Sequence, residues 1–416
     1  MENKSEVVDA EVGKTIQTTV YPILFAISGA HLLNDLIQQS IPLMYPVFKE
    51  SLNLSFTEIG LITFVLNFTA SLLQPVIGLY TDVHPKPYSL PIGMCFTLVG
   101  IIFLANAPNL YYVLGSVCVV GIGSAILHPE SSRVAYMASG GSKKRGLAQS
   151  IFQIGGNTGS ALAAVVVAWL IAPKGQFGLI YLTVFAVAAI VIQSRVSIWY
   201  KKYLSNRTKK KVALEQTHNL PRKKVVTALS LLIVLIFSKY VYIASITSYY
   251  TFYLNKTFGL TVEQSQFYLF MFLVSMAIGT FLGGPISDRF NRKHVIWFSI
   301  LGAAPFALML PYANLFWSGI LCVLVGLVLS SAFSVILVYA QELMPGKIGM
   351  VSGLFFGLAF GMGGIGSAVL GYVADHTSIQ YAFRIASVLP LLGMVAGFLP
   401  DLKKEMASFN KEVDTK

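Results

Sequence analysis

GPISDRFNRK, residues 284–293, is the stretch that organises this chain. A long apolar run ends on Gly284 and Pro285, and charge gathers immediately after it at Asp288, Arg289, Arg292 and Lys293. An earlier stretch, GLYTDVHPKP at residues 78–87, begins in the same way. Gly78 and Gly284 are 206 residues apart, and so are Asp82 and Asp288. Each motif closes the second apolar segment of its half. A repeat in register over nearly half the chain implies two parallel copies of one unit. The copies differ in charge, because the first keeps only Lys86 as a lasting cation.

Outward from these motifs the sequence is mostly apolar. Of 416 residues, 55% are hydrophobic and only 12% charged, with a mean hydropathy of +0.69. A soluble protein carries about a quarter charged residues, so the apolar surplus calls for a solvent other than water. Bilayer hydrocarbon about 30 Å thick is crossed by roughly 20 apolar residues. Segments of that kind predict helices near 21–43, 58–80, 88–106, 110–136, 146–172 and 177–199, and again near 225–251, 262–286, 294–312, 315–340, 348–373 and 380–400. The expected fold is an all-α membrane protein with twelve transmembrane helices in two pseudo-symmetric six-helix bundles. Its expected parts are a tail at 1–20, bundles at 21–199 and 225–400, a basic linker at 200–224 and a second tail at 401–416. The opening residues lack the short apolar core and cleavage site of a signal peptide. Cys95, Cys118 and Cys322 sit in apolar segments as small core residues, with no disulfide or metal-ligand spacing.

The net charge of +12 is sided. With both termini in the cytoplasm, loops on that side carry Lys86, Lys143, Lys144, Arg145, Arg289, Arg292, Lys293 and Lys347, and the linker adds nine more cations from Lys201 to Lys224. The opposite loops hold only Lys49, Lys174 and Lys256. Such asymmetry orients a membrane protein. It predicts a multi-pass protein whose linker meets anionic lipid. No soluble domain offers a basic face to nucleic acid.

Polar residues at membrane depth cost about 2.5–3.5 kcal/mol each when ionisable, so the few present single out candidate sites. In the first helix His31, Asn34, Asp35 and Gln38 form one stripe. It reads either as an interhelical hydrogen-bond network or as a titratable site exchanging protons with each side. In the fourth helix, LHPESSRVA places Glu130 and Arg133 at i, i+3 and His128 and Ser132 at i, i+4 beside a kink at Pro129. A structural salt bridge competes there with coupling or anion binding. In the fifth, Gln149, Gln153, Asn157 and Ser160 run beside Gly155, Gly156 and Gly159, which permit close packing. In the seventh, Lys239 is near mid-membrane with Tyr242, Ser245 and Tyr249 on its face; it calls for an acid, Asp35 being the candidate, or for an anionic substrate. In the eleventh, Gly353, Gly357, Gly361 and Gly364 predict close packing and sliding. Asp375 and Arg384 flank the last outer loop as an expected pair. No catalytic constellation or nucleotide loop is present, so the reading is a transporter with no cofactor or metal, driven by an ion gradient, and a monomer.

Two six-helix units and the G-x-x-x-D-R-x-x-R-K pattern at Gly284, Asp288, Arg289, Arg292 and Lys293 resemble the major facilitator superfamily. In that resemblance Gly78, Asp82 and the second-copy residues are gating residues. HLLNDLIQQS, HPESSRVAYMASGG, GLAQSIFQIGGNTGS, LIFSKYVYIASITSYYTFYL and the long segment from Ile336 to Ile379 resemble drug exporters of that superfamily over nearly all of the membrane part. The resemblance implies proton-coupled efflux of a small drug through the bacterial inner membrane, with an anionic phosphonate as substrate. Gly155-Gly156-Asn157 replaces the Gly-Pro pair of general drug–proton antiporters, so direction does not rest on that motif. Asp35, Glu130, His31 and His128 are then the candidates for proton coupling. Lys239, Arg133, Asn34, Gln38, Gln153, Asn157, Tyr242 and Tyr249 are the candidates for holding substrate. A proton symporter importing a small organic anion or sugar, and a non-transporting sensor, remain open readings.

Overall fold

A computed structural model describes residues 19–54, 56–209 and 221–402. The expected tails and the middle of the linker lie outside the described residues. No strand occurs among the described residues. The twelve spans are numbered here in chain order. The first half comprises α1 (Tyr21–Leu43), α2 (Phe56–Val83), α3 (Ser89–Ala105), α4 (Leu110–Ala138), α5 (Arg145–Val166) and α6 (Leu182–Lys209). The second comprises α7 (Arg222–Phe258), α8 (Val262–Arg289), α9 (Arg292–Leu301), α10 (Leu315–Ser330), α11 (Ile348–His376) and α12 (Ile379–Ser387). Among the described residues ten of these spans are long and apolar enough to cross a bilayer once their continuations are included, α9 running on to Tyr312, α10 to Leu343 and α12 to Phe398. Of the other two, α3 is shorter, and α1 is diluted by its polar stripe.

Local chemistry sets the ends. Asn109, Asn314 and Ser378 accept hydrogen bonds from the backbone N–H three residues on, opening α4, α10 and α12. Thr261 and Gln264 form a capping box at α8. Gly259 closes α7 at φ +68°, a left-handed conformation that suits glycine. Several spans depart from the predicted bounds. Helix α6 runs on to Lys209, ten residues past its expected end at 199. Helix α9 breaks at Gly302 and resumes at Ala304–Met309. Helix α10 breaks at Ser331, whose hydroxyl bonds the Val328 carbonyl at 2.7 Å, and resumes at Ala332–Leu343. Past Pro390, α12 tightens to a 3-10 helix over Leu389–Phe398. Helix α4 continues through Pro129.

Large apolar side chains cover the outside, among them Phe25, Phe64, Phe68, Leu72, Val184 and Phe281. An apolar shell that wide, over helices that satisfy their own backbone bonds, suits hydrocarbon rather than water. Inside, two cores divide the molecule. One is shared by both halves and includes Leu24, Phe152, Tyr200, Leu235, Phe333 and Phe356. The other lies wholly within the first half, from Leu36 to Ala189. Helices α2 and α11 pack closely, as do α5 and α8, whereas α1 and α7 share no packed seam. The halves therefore meet most tightly at the end carrying the two motifs, called the motif face below.

Candidate functional site

Two arrangements close the motif face, one from each half. At the end of α2, Asp82 accepts hydrogen bonds from the backbone N–H groups of Gly349 at 2.9 Å and Met350 at 2.8 Å, the first turn of α11. At the end of α8, Asp288 accepts from Gly146 at 2.9 Å and Leu147 at 2.8 Å, the first turn of α5. A carboxylate at a helix N-terminus satisfies orphan donors and meets the positive end of the dipole. The backbones approach closely enough that glycine is required: a Cβ on Gly78 would run into the Gly349 carbonyl, and one on Gly284 into that of Gly146.

Charge reinforces both. Arg133 reaches Asp82 at 2.6 Å and Glu130 at 2.7 Å, and it also donates to the carbonyls of Thr81 and Gly78. Glu130 is fully buried and also accepts from Thr81 Oγ1 and Ser89 Oγ. The cation missing from the first loop is thus supplied by α4, and Arg133 stands in the motif cluster rather than beside Lys239. In the second half, Glu342 takes Arg292 at 2.9 Å and, across the halves, Arg145 at 3.2 Å. Arg292 lies 3.6 Å from Asp288, while Arg289 is exposed and Lys293 half-buried. Ser132, Gln149, Gln341 and Ser352 join α4, α5, α10 and α11 in a buried network.

Toward mid-membrane, LHPESSRVA divides. One hundred degrees of helical turn per residue sends His128 away from Glu130 and Arg133. His128 does not join Ser132; its Nε2 lies 3.5 Å from Asp35 Oδ1, and its Nδ1 donates to the Ser124 carbonyl at 3.0 Å. His31 Nε2 lies 3.3 Å from Asp35 Oδ2, and its Nδ1 donates to the Phe152 carbonyl at 2.9 Å. Asn34 donates to Asp35 Oδ1 at 3.0 Å, and Gln38 accepts from Ser124 at 2.8 Å. The glycines of α5 make room: a Cβ on Gly155 or Gly159 would strike the carbonyl of Ser28 or Leu32 in α1, and one on Gly156 would strike His31 and Asp35.

Lys239 is 2% exposed and meets no acid among the described residues. The expected pairing with Asp35 is absent, because Asp35 is taken by two histidines of its own half. Its ammonium lies 3.5 Å from the Ser330 carbonyl and 5.4 Å from the ring centres of Tyr240 and Phe333. Ser330 Oγ, Ser334 Oγ, Gln153 Oε1 and Tyr242 OH are buried without hydrogen-bond partners among the described residues. Asn157 donates to Thr280 at 3.2 Å and Tyr249 to the Ser367 carbonyl at 2.6 Å. Phe356 connects the two regions, with its ring 5.2 Å from His128 and 5.1 Å from Phe333.

Two further expectations fail. Asp375 and Arg384 form no ion pair; Arg384 lies 5.2 Å over the Tyr312 ring. In α11, Gly353 and Gly357 meet α2 backbone at Gln74 and Ser71, but Gly361 and Gly364 face open space. Sequence reasoning missed Thr81, Ser89, Glu342 and Phe356. Glu342 carried a signal, as an acid within an apolar segment; the others carried none.

Residues 27–367 and 232–415 match the sequence profile of the Major Facilitator Superfamily. The chain is similar to the fosmidomycin resistance protein of Escherichia coli K12, at 54% identity over 96% of this chain and 98% of the relative. It is similar to an uncharacterised transporter of that superfamily, YfnC of Bacillus subtilis 168, at 46% identity over 94% and 96% of the two chains. Among solved structures, the fucose:proton symporter of E. coli superposes with a TM-score of 0.71 at 17% identity, over 92% of this chain and 99% of that one.

Proposed function

The chain belongs to the Major Facilitator Superfamily and is a multi-pass membrane transporter, and from that premise we propose that it exports fosmidomycin or similar small anionic drugs across a bacterial inner membrane in exchange for protons. The observation that carries the reading is the 54% identity, over essentially the whole of both chains, to a protein named for fosmidomycin resistance. Its termini face the cytoplasm, and the motif face is the cytoplasmic face.

The chemistry supports the reading in three ways. A phosphonate wants cationic donors, and Lys239 is a buried cation with no acid beside it among the described residues. Asp35, His31 and His128 hold exchangeable protons, with Glu130 a second acid nearer the cytoplasm. Phe356 packs against both regions, so a shift of α11 on substrate release is felt at the histidines. Asn34, Gln38, Gln153, Asn157, Tyr242 and Tyr249 supply neutral polar groups around these charges. Arg133 belongs to the gate, with Gly78, Asp82, Gly284, Asp288 and Arg292. The motif face closes when Asp82 and Asp288 sit on the facing helix ends and opens when they leave, which is alternating access by rocking of the halves.

Drug accumulation in cells with and without the protein, and with and without a proton uncoupler, tests the reading. The protein lowers accumulation and the uncoupler restores it; accumulation unaffected by the protein overturns export. Counterflow in proteoliposomes with the pH gradient imposed in either direction separates antiport from symport. If Asp35→Asn with Glu130→Gln leaves proton-driven transport intact, those residues do not couple.

A further inference from the structure

His31 and His128 present ring nitrogens to one carboxylate from two different helices, and the geometry points to a binding site for a zinc-class divalent ion at His31, Asp35 and His128. This goes beyond the transport reading and does not depend on which drug is moved.

The hydrogen positions come first. His31 Nδ1 lies 2.9 Å from the Phe152 carbonyl, and His128 Nδ1 lies 3.0 Å from that of Ser124. A carbonyl only accepts, and the Ser124 hydroxyl, also 3.2 Å from His128 Nδ1, gives its hydrogen to Gln38; each Nδ1 therefore carries a hydrogen, and in the neutral ring each Nε2 carries a lone pair. Metal-ligating histidines are held in this way, with the other ring N–H donated to a carbonyl. Both lone pairs then face carboxylate oxygens, a repulsive meeting unless something positive stands between them.

Distance separates the two candidates for that charge. The Nε2–oxygen separations are 3.3 Å for His31 and 3.5 Å for His128. A charge-assisted N–H···O bond spans about 2.7–2.9 Å, shorter than either separation. Metal bonds of about 2.0–2.1 Å in a tetrahedron put neighbouring ligand atoms about 3.3–3.4 Å apart, close to both, with His31 meeting Oδ2 and His128 meeting Oδ1 of the one carboxylate. The three donor atoms all lie within 4.8 Å of one another.

The surroundings make it a built site. His31 is 2% and His128 0% exposed, and His128 Nε2 has no hydrogen-bond partner among the described residues. The His31 ring is stacked on Phe152 with centres 4.2 Å apart, and Asn34 orients the carboxylate. The side chain of Asp35 keeps 12% exposure, which gives the ion a way in. Two imidazoles and one carboxylate suit Zn²⁺ or Co²⁺ and reject Mg²⁺ and Ca²⁺, which take oxygen ligands. Three protein ligands leave a fourth corner for water or an anionic oxygen. Because His31 and Asp35 belong to α1 and His128 to α4, the ion clamps the two helices together and occupies the carboxylate.

The test uses purified full-length protein in nanodiscs, without a polyhistidine tag and without drug. Equilibrium dialysis against Co²⁺ or Zn²⁺, with the metal counted by mass spectrometry, is paired with the visible spectrum of the Co²⁺ form. The expected result is one ion per chain and a four-coordinate Co²⁺ band, displaced by Zn²⁺ but not by Mg²⁺ or Ca²⁺. Asp35→Asn, close to isosteric, and His128→Gln each weaken binding by about 100-fold or more, while the doubly substituted His84→Ala/His376→Ala protein binds as before. Absence of a stoichiometric ion, an unchanged band in Asp35→Asn, or loss of binding only when the exposed His84 and His376 are replaced overturns the site. Failure of drug export leaves this result untouched, since binding is read directly.

Discussion

Replacing Asp82 by Asn removes one negative charge from the first turn of α11 with almost no change of shape. The carboxylate has two kinds of partner, which contribute to different equilibria. Arg133, at 2.6 Å, belongs to the same half and stays with Asp82 whether the motif face is open or closed. Gly349 N and Met350 N, at 2.9 and 2.8 Å, belong to the other half and are lost on opening. Only the second set biases the gate. An anion at a partly buried helix N-terminus is worth up to about 2 kcal/mol, so Asp82→Asn should lower the closed-to-open ratio by roughly 30-fold. Asp288→Asn should act equally through Gly146 and Leu147. If the two sites are independent, the double variant loses about 4 kcal/mol, close to 1000-fold. Spin labels on cysteines at exposed Lys86 and Lys347, in a background lacking the native cysteines, report the separation across the motif face by pulsed electron–electron resonance. The wild type should give one short distance, each single variant a second longer one, and the double variant mainly the longer. An unchanged short distance in the double variant would refute the latch.

Three further outcomes follow from the same geometry. Lys239→Ala, removing a buried cation with no acid beside it among the described residues, should reduce transport of an anionic drug at least about 10-fold, one charge-assisted bond being worth roughly 1.5–3 kcal/mol; a wild-type rate in drug-loaded vesicles would remove Lys239 from the substrate site. Gly159→Leu drives a side chain into the Leu32 carbonyl of α1 and should cost about 1–3 kcal/mol, seen as a lower unfolding temperature in detergent; Gly361→Ala, which faces open space, should leave that temperature unchanged. Glu342→Gln removes the acid that Arg145 and Arg292 share, leaving Arg292 its 3.6 Å contact with Asp288, and should destabilise the protein by about 3 kcal/mol, read in the same thermal assay, with Arg145→Gln partly restoring it.

The sequence made the spans legible because bilayer thickness dictates their length, and the Gly–Asp register made the two halves legible. The stripe of His31, Asn34, Asp35 and Gln38 was legible because one helix carries all four. What stayed hidden was every partnership between helices. Glu130 and Arg133 were readable as i, i+3 neighbours, but nothing in the chain announces that Arg133 reaches Asp82 or that His128 turns to Asp35, 93 residues earlier. Lys239 was legible as a buried cation calling for an acid or an anion, but not that Asp35 lies between two histidines of its own half instead. The glycines of α11 looked alike in sequence and divide in space, since only those level with Ser71 and Gln74 meet α2.

The two closures at the motif face have the symmetry of a dimer. An aspartate at the end of the second helix of one half caps the fifth helix of the other, and the same is true with the halves exchanged. In an isologous interface, residue i touches j while j touches i; here that relation is drawn within a single polypeptide. A surface that complements a copy of itself serves twice, so each six-helix half carries both sides of the contact, an aspartate that caps and a helix end that is capped.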